Sequence, residues 1–577
     1  MQIKTNTEIE LVGRGSVILR PNDHIASGGE GSVYGLSDTV IKLYHDPQKV
    51  LGSGLQDKIK LLSGLQHPYI VAPKNLVFGS KGQFLGFYME KADGHPLSQV
   101  FTNDFYLKYG FGDKDASVLV HRMREVFEFG HAHGATLVDP NELNWNVVHK
   151  KSKSPEPRVF DVDSWAIGKW KPTVIMPSIR DWHSKGFSQS TDWFSWGIIT
   201  FQIYTGIHPY KGTLDGFKMG DLTGRMKANA SVFSKGIRLN RAVRDFSVIP
   251  KNLLSWYEST FQKGERVKAP SPLDNNTVSP KTAKVLKTVT VGVGDLLVFQ
   301  KLLTVANDPV VKVFSCGVAL LSSGLLVEIF KNRKIGQVTS VEAEVVKVTG
   351  GYLVADYRNK VVVFEYIQET SFEKFELSFP YSLTRFLSYQ NRMFAVTENG
   401  LTEVTVNMFA KPLLSAGNTW GVVVNSTKWW NGVGVQDMMG ATYVISPFGE
   451  GTCAHVRVPE LDNLKVVNAK SGHRFIVLSC VAKDGSYRKV ELSFDSSYKT
   501  YKLSEKITDT AELNVAILPK GVCATIETDS ELFITVPTNG TGKHLSDKNI
   551  STDMVLFNLG DMVVYIQNGD VWSLRMK

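Results

Sequence analysis

The chain has 577 residues, too many for one hydrophobic core, so two or three domains are expected. It is 43% hydrophobic and 21% charged, which excludes a disordered or fibrous class. The net charge of +9 is spread without a dense Lys/Arg tract, and no apolar run approaches the about 18–20 residues that span a bilayer, so neither nucleic-acid binding nor a membrane anchor is expected. Cys316, Cys453, Cys480 and Cys523 lie far apart with no CxxC pair, which argues against a zinc site or a disulfide framework. With no signal-like apolar core in residues 1–12, a reducing cytoplasm is the expected compartment.

In chain order, the first signal is Ile25-Ala26-Ser27-Gly28-Gly29-Glu30-Gly31-Ser32-Val33-Tyr34. Glycines between two strands let backbone N–H groups approach phosphates closely. Lys42, on the following apolar run Val40-Ile41-Lys42, is placed to reach those phosphates. By itself the segment is also what a plain hairpin turn contains. Helical periodicity then runs through Val118–Gly130. Behind it comes His131 to Asn144, with Asp139 five residues before Asn144. An Asp at that spacing orients a hydroxyl and accepts its proton, and the Asn side-chain oxygen holds a metal ion. The same spacing occurs in capped surface loops. A further apolar strand ends in Asp161-Val162-Asp163, carboxylates that suit Mg²⁺, a hard cation that prefers oxygen, or that merely close a turn. Asp192 opens the apolar helical stretch Trp193–Thr205, where it is also a candidate cap, and His208-Pro209-Tyr210 follows.

The texture changes near residue 270. Residues 263–284 are rich in Pro, Ser and Asn and read as a linker. Beyond them an apolar strand, a turn and another apolar strand recur, with turns at Gly324, Asn359, Gly400, Gly440, Gly485, Ser530 and Gly569. The 35–45-residue spacing is that of β-propeller blades, with a β-sandwich pair as the plainer alternative. A ring of this kind closes best when one blade takes strands from both ends, here from Val285–Val291 or Leu296–Leu303.

Together these segments resemble the protein kinase superfamily over roughly residues 20–270, in wording closer to a bacterial and phage branch. Ala26, Gly28, Gly31 and Val33, with Gly29 between them, are similar to its glycine-rich loop, and Lys42 to the lysine of its third strand. His67-Pro68-Tyr69-Ile70-Val71 resembles the segment after the C helix, and Gly86-Phe87-Tyr88-Met89-Glu90 the strand entering the hinge. Asp139 and Asn144 match the catalytic Asp and Asn, Asp161 the metal-binding Asp, and Asp192 the helix F aspartate. The resemblance implies a bilobal α+β kinase-like domain at 1–262 (small lobe about 1–92, large lobe about 93–262). The linker and an all-β domain at 285–577, a seven-bladed propeller, complete the expected organisation.

It further implies an ATP- and Mg²⁺-dependent serine/threonine protein kinase. Catalysis would rest on Asp139, Lys42 and Asn144. Nucleotide would meet Ala26, Gly28, Gly29, Gly31, Val33, Lys42, Met89 and Glu90, and metal would meet Asn144, Asp161 and Asp163. The partners implied are a protein substrate and a protein held by the propeller, in a cytoplasm that is the host's if the chain is phage-encoded. Departures matter. The family's HRD is Leu137-Val138-Asp139 here, so activation-loop phosphorylation has no arginine to bind. Lys58 stands where the C-helix glutamate belongs, leaving Asp57 to pair with Lys42 through a shifted helix. Met176-Pro177-Ser178 replaces APE, so Arg266 is expected to be unpaired or solvated. A pseudokinase scaffold and a small-molecule kinase are the alternatives.

Overall fold

A computed structural model gives the fold and describes residues 3–150, 153–172, 174–240, 242–274, 296–430, 432–527, 531–536 and 541–577. The chain opens with seven strands: β1 (Thr7–Leu11), β2 (Gly15–Leu19), β3 (His24–Ser27), β4 (Gly31–Leu36), β5 (Thr39–Tyr44), β6 (Pro73–Gly79) and β7 (Phe84–Glu90). They form one antiparallel sheet in the order β2-β1-β6-β7-β5-β4-β3. β5 lies inside this sheet and all six of its residues are buried, which suits its β-branched Thr39, Val40 and Ile41. Ala26, Val33, Lys42 and Phe87 stand in register across β3, β4, β5 and β7. The β5–β7 approach requires Gly86, because a Cβ there would lie 1.9 Å from the Lys42 carbonyl oxygen.

Two helices follow β5, α1 (Pro47–Leu51) and α2 (Leu55–Leu62). α2 buries Leu55, Lys58, Ile59 and Leu62, the one-face spacing of an amphipathic helix, so a lysine sits in its apolar stripe. Past β7 come α3 (Leu97–Val100), α4 (Asn103–Tyr109), α5 (Asp113–Ala132), α6 (Gln189–Thr205), α7 (Leu222–Lys227) and α8 (Lys251–Phe261). α5 and α6 contain the helical stretches expected from the sequence. α6 is buried from Thr191 to Thr205, as a helix apolar on every side must be. Its cap is Ser188, whose side chain accepts from Thr191 N, so Asp192 is free for another task.

Residues 263–274, expected to begin the linker, pack back on the helices. Trp256 Nε1 donates to the Val267 carbonyl (3.2 Å), Arg124 Nε to that of Ala269 (2.9 Å) and Asn252 Nδ2 to that of Ser271 (2.7 Å). The rest of the expected linker, the strand-like Val285–Val291 and the turn at Ser530 lie outside the described residues.

From Leu297 onward the described chain is an all-β region of seven four-stranded antiparallel sheets. Sheets II (310–337), III (344–377), IV (383–420), V (427–457), VI (464–508) and VII (515–546) are consecutive hairpin runs. Sheet I joins Leu297–Leu303 to the last three strands, Val555–Leu559, Met562–Gln567 and Asp570–Met576, so both ends of the region meet in one sheet. Gly324, Asn359, Gly400, Gly440, Gly485 and Gly569 all have positive φ and lie where the two middle strands of a sheet are joined.

Seven apolar clusters fill seven seams. They join I to II, II to III, III to IV, IV to V, V to VI, VI to VII and VII back to I. Strand alternation explains the two-sided burial: neighbouring Val345 and Val346 face different seams. No helix among the described residues is long and apolar enough to cross a membrane.

Candidate active site

The short strands Trp145–Val148 and Glu156–Val159 pair with Trp145 opposite Val159, which brings Asn144 against Phe160. Phe160 N donates to the Asn144 carbonyl (3.1 Å), and Asp161 follows directly. Asn144 Nδ2 donates to the Asp139 carbonyl (2.9 Å), closing the loop between them. Met176 N donates to Asp139 Oδ1 (3.0 Å). Burial raises the Asp139 proton affinity, the Met176 N–H and the Asn141 side chain oppose this, and the Asp161 charge adds to it.

The loop is fastened from beneath by α6. Asp192, 1% exposed, accepts from Leu137 N (2.8 Å) and Val138 N (3.0 Å), and its Oδ2 lies 2.8 Å from His131 Nε2. Val138 has φ +67°, a left-handed conformation costly for a β-branched residue. The two bonds from Asp192 to consecutive amides hold it there.

Across the cleft, Lys42 Nζ lies 2.8 Å from both Asp161 Oδ1 and Asp163 Oδ2. Burial alone would lower its proton affinity. The carboxylates of Asp163 and Asp161 more than reverse this and keep the ammonium charged. Asp163 Oδ2 also accepts from the Tyr44 hydroxyl (2.8 Å), and Lys58 Nζ reaches the Asp163 carbonyl (2.5 Å). Tyr44 lies two residues beyond Lys42 on β5 and therefore on the same face. Despite its burial, Asp163 is held below the usual carboxylate range by Lys42 and Tyr44, whereas burial raises Asp161.

Two expectations are corrected here. Asp57 is exposed on α2, and Lys42 takes Asp163 and Asp161 as its partners instead. The reason is helix phase: the one-face burial of α2 turns Lys58 inward and Asp57 out. Arg266 is neither unpaired nor solvated. Its Nε and Nη2 bind Asp181 Oδ2 (2.7 Å) and Oδ1 (2.9 Å), a bidentate fork hidden from the sequence by the displacement of Asp181 from the Met176–Ser178 segment.

The β3–β4 turn is closed by Gly28 N donating to the Gly31 carbonyl (2.9 Å). A Cβ at Gly28 or Gly29 would meet no protein atom within 4 Å, so the loop has open space above it. Met89, next to last in β7, stands opposite Val40, and Glu90 makes an exposed ion pair with Lys74 (2.9 Å), leaving main-chain groups as what this segment can offer a ligand.

The oxygens gathered around Lys42 fit Mg²⁺ in kind. Asp163 Oδ1 is buried without a hydrogen-bond partner, and Asp161 is 38% exposed on the cleft. Among the described residues no group of three His, Cys, Asp or Glu side chains assembles a metal cage.

His208, 3% exposed, secures the floor of the segment that carries Met176. Its Nε2 lies 2.8 Å from the Ser178 carbonyl and its Nδ1 accepts from Tyr210 N (3.1 Å), so only the neutral Nε2–H tautomer satisfies both. Burial, with help from Lys211, lowers its pKa to about 3. Between the ordinary 6.5 and about 3 the unfolded chain binds a proton that the folded chain refuses, so stability is lost as pH is lowered through that window. Melting temperature is expected to drop steadily below pH 6.5, and His208→Gln to flatten the slope. An unchanged slope would remove His208 from the account.

No protein-family model and no curated protein matches the sequence.

Proposed function

We propose that the chain is an ATP-dependent protein kinase acting on serine or threonine hydroxyls, with a strand-rich small lobe, a helical large lobe and a seven-bladed β-propeller that recruits protein substrates or partners. The observation that carries this reading is the pairing of a buried Lys42 with Asp161 and Asp163, opposite Asp139 and Asn144 tied to one another. The seven seams running from sheet I back to sheet I support the propeller.

In this reading Gly28, Gly29 and Gly31 cover the phosphates, and Ala26 and Val33 flank the nucleotide beside Lys42. The Lys42 ammonium meets the α- and β-phosphates, and main-chain groups at Met89 and Glu90 receive the base. Asp161 and Asn144 are the side chains to hold Mg²⁺, which when bound neutralises phosphate charge. Asp139 orients the acceptor hydroxyl, and its raised proton affinity suits it to take the proton as the bond to phosphorus forms.

Two observations favour a second reading, a nucleotide-binding scaffold without activity: Lys42 is already satisfied by two carboxylates, and a lysine fills the C-helix position. Labelled ATP with Mg²⁺ separates the two. Wild type is expected to label itself or an added protein, and Asp139→Asn to lose about 10²–10⁴-fold in rate. Nucleotide binding with no label in either protein would leave the scaffold.

A further inference from the structure

Sheet VI is built onto the loop that carries Asp139. Leu143, one residue before Asn144, packs into a cluster of Val467, Val481, Tyr487 and Ala511. Glu142, 2% exposed, accepts from the Tyr487 hydroxyl at 3.4 Å. On the other flank of Asp139, the turn at Gly485 presses on Met176 and Ser178, and Met176 is the residue whose N–H holds the Asp139 carboxylate. A Cβ at Gly485 would lie 2.4 Å from the Ser178 Cβ. Both flanks of the proposed base are thus occupied by one sheet of the same chain. The contact continues from Gly220 to Ile507, while Ser426, just before sheet V, binds His24 at the head of β3 (2.8 Å). A flexible protein segment extending to either side of Asp139 would meet this sheet.

The interface is poorly satisfied. Glu142 Oε2 is buried without a partner, and so is Arg225 Nη2. Lys211 lies buried 4.2 Å from the Tyr487 ring centroid and donates to the Asp509 carbonyl at 3.4 Å, and burial lowers its proton affinity despite the nearby carboxylates of Asp509, Glu142 and Asp484. A cavity of about 50 Å³ lined by Lys211, Arg225 and Asp509 is left in the seam. Buried charges without full pairing cost desolvation energy that release to water returns. A joint of this composition is suited to parting.

We propose that the all-β region, seated through sheet VI, is a lid on the acceptor side of the Asp139 loop, and that a protein acceptor enters only when the lid lifts. This rests on the phosphotransfer reading above. In the closed arrangement only an acceptor small enough to pass between the flanks reaches Asp139.

Two variants of the full chain test it. Gly485→Asn keeps a residue that tolerates positive φ but wedges a side chain against Ser178. Tyr487→Ala removes the bond to Glu142 and the ring beneath Lys211. Hydrogen exchange of residues 137–144 and 176–181 reports lifting without reference to activity. Labelling of unfolded casein with ATP and Mg²⁺ reports acceptor entry.

Faster exchange, with casein labelling raised about tenfold or more in both variants and lost again when Asp139→Asn is added, is the expected result. Faster exchange with casein labelling unchanged or lower, in a protein whose wild type labels itself, overturns the lid and spares the kinase reading. Exchange that stays at the wild-type rate in both variants also overturns it, since the joint is then fixed. Absence of label from every protein, with exchange raised, overturns the phosphotransfer reading and the lid with it.

Discussion

Lys42→Met is expected to reduce phosphotransfer about 10²–10³-fold, the loss seen when one charge-stabilising group is removed from a preorganised site. It is also expected to destabilise the protein, because the Asp163 side chain is 2% exposed and would keep only the Tyr44 hydroxyl on Oδ2. Asp163→Asn separates the two effects. It leaves Lys42 paired with Asp161 but removes the anchor that fixes the ammonium, which in the proposed reading lies beside the phosphates. Labelling should fall about tenfold or more while nucleotide binding persists. Asp57→Ala, on the exposed side of α2, should leave both unchanged. Steady-state labelling and calorimetric nucleotide titration of the three variants check this. Wild-type labelling by Asp163→Asn, or a loss in Asp57→Ala, would return the anchoring role to α2.

The second large effect is expected at Asp192. Replacement by Ala strands the amides of Leu137 and Val138 and the His131 ring in a buried site, at a cost of about 3–5 kcal/mol. For a region of this size that is a fall of roughly 10 °C in melting temperature. Asp192→Asn keeps one acceptor oxygen and should lose about half as much. The loop should suffer before the fold does. Val138 is held at φ +67° by those bonds, so hydrogen exchange at residues 137–144 should quicken at temperatures where α6 remains protected. Equal melting of wild type and Asp192→Ala would mean that the loop is held by other contacts.

Much of this architecture is legible locally. Strand and helix periods, glycine and asparagine turns, and the Asp139–Asn144 spacing are short-range patterns, because side-chain alternation and positive φ are properties of neighbouring residues. They suffice to place β5 and α6 and six of the repeated turns, and to name Leu296–Leu303 as one of two candidates for the strand that shares a sheet with the C-terminus. Tyr44 was within reach too, two residues from Lys42 on the same strand face.

Partner choice between distant segments is not a local property. Lys42 finds Asp163 rather than Asp57 because α2 turns Lys58 inward, a matter of how one helix packs against the cleft. Arg266 finds Asp181 across 85 residues because both are carried to the same side of the helical core. The contact of sheet VI with Glu142 and Leu143 joins residues more than 300 positions apart. Local pattern is enough to locate Lys42, Asp139, Asn144 and the Asp161–Asp163 pair and to say where the strands turn. Tertiary structure alone decided which carboxylate holds Lys42 and what covers Asp139, because burial and charge pairing are settled only once the chain has brought its distant parts together.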